Sequence, residues 1–182
     1  VGKTEEAIFY HKTAIKLKPG FAASHINLGN VFLAMRETEE AISHYKMAIK
    51  LKPNYALAHN NLGNALKENG MASEAITHYR IAMRIKPDFV EAHYNLGNAL
   101  FATRETEEAI SHYKMAIKLK PFAPAHYNLG NALKENGMAS EAITHYKMAI
   151  KLKPGLAEAH NNLGNALLDE RKTEEAIYYY KM

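Results

Sequence analysis

Five of the six prolines fall at positions 19, 53, 87, 121 and 154, so they are spaced 34, 34, 34 and 33 residues apart. The glycines of a recurring Asn-Leu-Gly-Asn string keep the same interval, at Gly29, Gly63, Gly97, Gly130 and Gly164. A fixed period in this range makes the chain a repeat protein, in which each unit buries its apolar face only against its neighbours. The 33-residue step is a one-residue deletion between Pro121 and Ala125. A second period overlies the first. Residues 36–53 recur unchanged at 104–121, and residues 61–79 recur unchanged at 128–146. The units therefore alternate between two kinds, with Gly2, Gly70 and Gly137 between the helical stretches of one kind and Arg36, Arg104 and Arg171 in the other.

Each unit holds two stretches with the 3-4 apolar spacing of a helix. In the first, about Ala56 to Asn69, His59, Leu62, Gly63 and Leu66 form one stripe. Gly63 costs this helix about 1 kcal/mol in propensity, which predicts close approach by a neighbouring helix. Gly70 suits a left-handed closing turn. Arg in the same place implies either strain or another turn type. In the second stretch, about Ala72 to Ile85, the predicted buried residues are Ala75, Ile76, Tyr79, Ala82, Met83 and Ile85. Thr38 and Thr106 are expected as N-caps, with Glu39, Glu40, Glu107 and Glu108 facing the helix dipole and Lys50 and Lys52 at its opposite end.

A 34-residue pair of helices carrying Leu62, Gly63, Ala75, Tyr79, Ala82 and Pro53, with equivalents along the whole chain, resembles the tetratricopeptide repeat family. The resemblance implies an all-α superhelix of antiparallel helix pairs, about eleven helices in one array. The first helices would line a concave groove and the second helices back it. Repeat boundaries follow from the prolines: 1–19 is the second helix of a truncated repeat, 20–53, 54–87, 88–121 and 122–154 are full repeats, and 155–182 is a truncated last one. One departure recurs. Where the family usually has a large aromatic four residues before the glycine, this chain has His25, His59, His93, His126 and His160.

The groove face is where function is expected. The two asparagines of each string are three residues apart and share one face. The first members are Asn27, Asn61, Asn95, Asn128 and Asn162, and the second members are Asn30, Asn64, Asn98, Asn131 and Asn165. A carboxamide both accepts and donates, so a ladder of them can hold the main chain of an extended peptide without reading its side chains. The tetratricopeptide region of O-GlcNAc transferase has a similar ladder, and by that resemblance the first asparagine of each pair is the stronger candidate. The other reading is that these amides bond helix to helix. Ile26, Asn60, Tyr94, Tyr127 and Asn161 also fall on this face, and Tyr94 with Tyr127 is a candidate aromatic pocket floor.

Other functions find little support. The groove positions that hold cations in chaperone-tail clamps carry Ile26, Asn60, Tyr94, Tyr127, Asn161 or the acids Glu91 and Glu158. None of the ten histidines has a helical partner at metal-ligand spacing, so no metal or cofactor is expected. They read as packing or surface residues, and mild acid would have to charge those that are buried. Lysines at helix ends answer to the dipole, and nucleic acid is not an expected partner. Every candidate catalytic residue recurs each repeat, whereas an active site is singular, so the chain is expected not to be an enzyme.

Composition narrows the setting. There is no cysteine, which excludes thiol chemistry and disulfides. The longest apolar run is Val31 to Met35, too short for a membrane span. An intracellular, cytoplasmic location is expected. Because the sequence starts with Val1 and not a methionine, the chain is expected to be a piece of something longer. The expected partner is a protein or peptide of unknown identity. The alternatives are a substrate-recognition region of a larger O-GlcNAc-transferase-like enzyme and an array that self-associates head to tail through uncapped ends.

Overall fold

The computed structural model describes residues 2–180. Its regular elements, among the described residues, are eleven α-helices: α1 Gly2–Leu17, α2 Ala22–Ala34, α3 Thr38–Leu51, α4 Ala56–Glu68, α5 Ala72–Ile85, α6 Val90–Ala102, α7 Thr106–Leu119, α8 Ala123–Glu135, α9 Ala139–Leu152, α10 Ala157–Asp169 and α11 Thr173–Tyr180. Gly2, expected in a turn, lies inside α1. Contacts divide the chain into two compact units, residues 1–92 and 93–182. In the first, α1 to α5 pack in chain order and α2 also touches α4. In the second, α7 to α11 pack in chain order and α8 touches α10. Within each unit, then, first helices meet one another as well as their own second helices.

The helical glycines fix how tightly each pair closes. Tyr79 is fully buried, and a Cβ added to Gly63 would stand 2.6 Å from its Cε1. The same contact joins Gly29 to Tyr45, Gly97 to Tyr113 and Gly130 to Tyr146, at 2.6–2.7 Å. The propensity lost at glycine is offset by the tyrosine ring that it admits. Around this contact Ala58, Leu62, Leu66, Ala75, Ile76 and Ala82 are buried, each leucine contributing about 2 kcal/mol. Met83 and Ile85, expected in the core, are only partly buried. They pack at the edge of a cluster of Ala56, Ala82, Phe89 and Ala92.

All five first helices end in one turn type. Glu37 N–H bonds to the Phe32 carbonyl at 2.9 Å and Arg36 N–H to Leu33 at 3.0 Å, and Met71 to Leu66 and Gly70 to Lys67 do the same at 2.9 and 3.1 Å. This paired Schellman arrangement satisfies carbonyls that the helix end would leave open. It requires a left-handed residue, supplied by Gly70 and Gly137 at φ 78° and 76° but also by Arg36, Arg104 and Arg171 at 60–68°. The arginine turns are thus the strained version of the glycine turn. Because the turn is so short, Thr38 and Thr106 are already the first helical residues. The N-caps are Glu37 and Glu105, with no side-chain cap bond, so the expected threonine caps are not formed.

Candidate functional site

The second asparagine of each string sits over the buried tyrosine of its own repeat. Tyr45, Tyr79, Tyr113 and Tyr146 donate their hydroxyls to the Oδ1 atoms of Asn30, Asn64, Asn98 and Asn131 at 2.7–2.8 Å. Burial pushes each of these phenols well above the ordinary value, so each keeps its proton and remains a donor. The same oxygens accept a second bond from the first asparagine of the following repeat. Asn61 Nδ2 donates to Asn30 at 3.0 Å, Asn128 to Asn98 at 2.8 Å and Asn162 to Asn131 at 2.9 Å. The ladder is therefore cross-linked, repeat to repeat, within each unit.

These bonds determine which amide atoms remain open. Asn128 spends its Nδ2 on both Asn98 and the Tyr94 hydroxyl, the latter at 3.1 Å. Asn162 likewise donates to Asn131 and to the Tyr127 hydroxyl, at 3.2 Å. No donor among the described residues reaches Asn128 Oδ1, and no acceptor among them reaches Nδ2 of Asn98 or Asn131. Asn27 is exposed. Asn95 of the first set and Asn64 and Asn165 of the second are half-buried.

The remaining groove candidates separate. Ile26 and Asn60 are buried, at 2% and 4% exposure, and present no groove surface. Asn161 is exposed, and Tyr94 and Tyr127 are half-buried. The ring contacts of the two tyrosines run to different partners. Tyr94 leans on Tyr113 and Phe122, with ring centres 6.1 and 5.1 Å apart, and Tyr127 leans on Tyr146 at 6.1 Å. Each ring is drawn to the tyrosine of its own second helix. A shallow recess of about 440 Å³ does open in the second unit, lined by Phe101, Asn131, Lys134, Glu135, Tyr146 and Asn162. Its charges are compensated, Lys134 by Asp169 at 3.1 Å and Glu135 by Arg104 at 2.8 Å.

The histidines are arranged in a way that one-helix spacing could not reveal. His25, His59, His93 and His126 each place Nδ1 3.0–3.1 Å from Nδ1 of a second-helix histidine, respectively His44, His78, His112 and His145. The partners are nineteen residues apart. The available signal was that both histidines keep the repeat's phase. Burial lowers the pKa of His25, His44, His59, His78, His126 and His145. No cluster of three or more metal-ligating side chains occurs among the described residues. No described helix is long and apolar enough to cross a membrane.

Comparison with known proteins agrees with this architecture. A TPR repeat model matches residues 37–70 and 139–170, and a tetratricopeptide repeat model matches residues 60–124. No curated protein sequence matches the chain. Among solved structures, MamA is 30% identical over 85% of this chain and 91% of its own, with a TM-score of 0.80. YrrB, described as a TPR protein with an unusual peptide-binding site, is 25% identical over 93% of this chain and 88% of its own, with a TM-score of 0.80. A MamA fragment from Desulfovibrio magneticus RS-1 shares the fold at 22% identity, covering 88% and 91% of the two chains with a TM-score of 0.81. Taken with the helix pairs, the glycine–tyrosine contacts and the shared turns, these matches show that the chain belongs to the tetratricopeptide repeat family, whose fold typically serves protein–protein interaction.

Proposed function

We propose that the chain is a non-catalytic scaffold that holds an extended segment of a partner protein by its main chain, through the groove asparagines. The observation that carries this reading is the direction of the amide bonds. Asn128 has given both N–H groups to the protein and keeps Oδ1 open, while Asn98 and Asn131 have filled Oδ1 and keep Nδ2 open. An extended peptide offers N–H and C=O groups in alternation. Its N–H groups suit Asn128 and its carbonyls suit Asn98 and Asn131. The recess beside Phe101 and Tyr146 accommodates one apolar side chain. The peptide-binding site named for YrrB is consistent with this use of the fold.

The test is to select peptides from a random display library against the whole chain and compare two scans of the tightest binder. Methylating single main-chain nitrogens at contacted positions should weaken binding about ten-fold, the effect of about 1.4 kcal/mol, whereas alanine replacement costs less at all but one position. Enrichment of no peptide, or unchanged affinity in Asn128→Ala, overturns the proposal. The asparagine ladder also supports a second reading, a substrate-recognition region of an O-GlcNAc-transferase-like enzyme. Finding a glycosyltransferase domain in the parent protein would favour it.

A further inference from the structure

The hydrogen bonds around His59 and His78 specify where their protons sit. His59 Nε2 lies 3.0 Å from the Pro53 carbonyl, which can only accept, so Nε2 carries the hydrogen. A neutral imidazole has one N–H, and His59 Nδ1 is therefore an acceptor. His78 Nδ1, 3.0 Å away, must be the donor. The last repeat shows the same logic with one part removed. His160 Nε2 reaches the Pro154 carbonyl at 2.9 Å, but Tyr179 stands where α3, α5, α7 and α9 have histidine, with ring centres 6.2 Å apart. There the buried His160 Nδ1 has no hydrogen-bond partner. The second-helix histidine supplies the donor that this acceptor needs.

We propose that the His59–His78 pair is a one-proton switch on the contact between a groove helix and the helix behind it, and that His25–His44 and His126–His145, which make the same Nδ1–Nδ1 contact, work in the same way. The first added proton enters at Nε2 of the second-helix histidine. Its Nδ1–H continues to donate, now as a charge-assisted bond. A second proton has only Nδ1 of the first-helix histidine left to occupy. It would set two N–H groups and two like charges face to face at 3.0–3.1 Å, so the contact must open. The inference concerns the helix pairs and requires no peptide ligand.

The surroundings set how readily each step occurs. Lys12 of α1 faces His44, Lys46 of α3 and Glu74 of α5 face His78, and Arg84 of α5 faces His59. In the other unit Lys114 of α7 and Glu141 of α9 face His145. Desolvation is the largest influence on these three pairs, and it disfavours charge. Their folded pKa values therefore lie below the unfolded value near 6.5. Stability is full above that value and is lost as pH falls through it toward the folded values.

Nitrogen-15 spectra of the histidine-labelled chain test the proposal directly. At pH 7.5 His25, His59 and His126 should show the Nε2–H form and His44, His78 and His145 the Nδ1–H form. On acidification His44, His78 and His145 should titrate first. The melting temperature should fall by about 5 °C or more between pH 7.5 and 5.5. A chain carrying His44→Tyr, His78→Tyr and His145→Tyr, the arrangement of the last repeat, should no longer show these two-step titrations. His44, His78 and His145 in the Nε2–H form, both members of a pair charging together with the fold intact, or an unchanged melting temperature overturns the proposal. The wild-type spectra decide it even if the variant does not fold.

Discussion

Residues 61–79 and 128–146 are the same nineteen residues in two different units, yet their groove faces differ because of the residue before each. In the first unit Asn60 is buried and donates to Asn61 Oδ1 at 3.3 Å. Asn61 then has both its oxygen and one N–H engaged inside the protein. In the second unit Tyr127 stands at this position, packs on Tyr146 and leaves Asn128 Oδ1 open. The frame is common to both. One side chain decides whether an amide turns inward or remains available.

The largest test of this comparison concerns the shared frame. Gly63→Ala and Gly130→Ala each drive a Cβ into a tyrosine ring at 2.6 Å, and each should cost about 3 kcal/mol by overpacking. Urea unfolding should give similar losses for the two, and a difference above about 1 kcal/mol would show that the frames are not equivalent. The groove itself should respond asymmetrically. Tyr127→Asn should weaken a selected peptide about ten-fold, or about 1.4 kcal/mol, and Asn60→Tyr should strengthen binding in the first unit, both measured by calorimetric titration. Equal, null effects would remove the distinction between the units.

The smallest effect is expected at the turns. Arg36→Gly relieves a left-handed arginine at φ 63° and should stabilise the chain by about 1 kcal/mol. Arg104→Gly should gain less, because Arg104 also pairs with Glu135 at 2.8 Å and an exposed pair is worth up to about 1 kcal/mol. Thermal melts of the two variants rank them.

Most of the fold was legible in the sequence because the period recurs. Pro53, Gly63 and Tyr79 mark a helix end, a close approach and the residue that fills it, and their equivalents repeat the same message. Turn chemistry was less legible. Arg36 was compatible with strain or with a different turn, and only the backbone hydrogen bonds decide for strain. Thr38 was misplaced by one position because a Schellman turn consumes the residue that a cap would occupy. The histidine pairs were hidden because their contact is set by how two helices pack, whereas spacing along one helix is what a sequence displays. Asn60 and Asn128 show the remaining difficulty: an amide's character is plain from its name, but its free atom depends on its neighbours.

The asparagine cross-links also have a direction in time. In Asn61 to Asn30, Asn128 to Asn98 and Asn162 to Asn131, the donor always belongs to the later repeat and the acceptor to the earlier one. A chain leaves the ribosome N-terminus first. Each repeat can therefore close on its own tyrosine while still being synthesised, leaving an oxygen ready for the next arrival. For these amides, then, no earlier repeat waits on a later one to satisfy its donor, and the order of translation is also the order in which the cross-links can close.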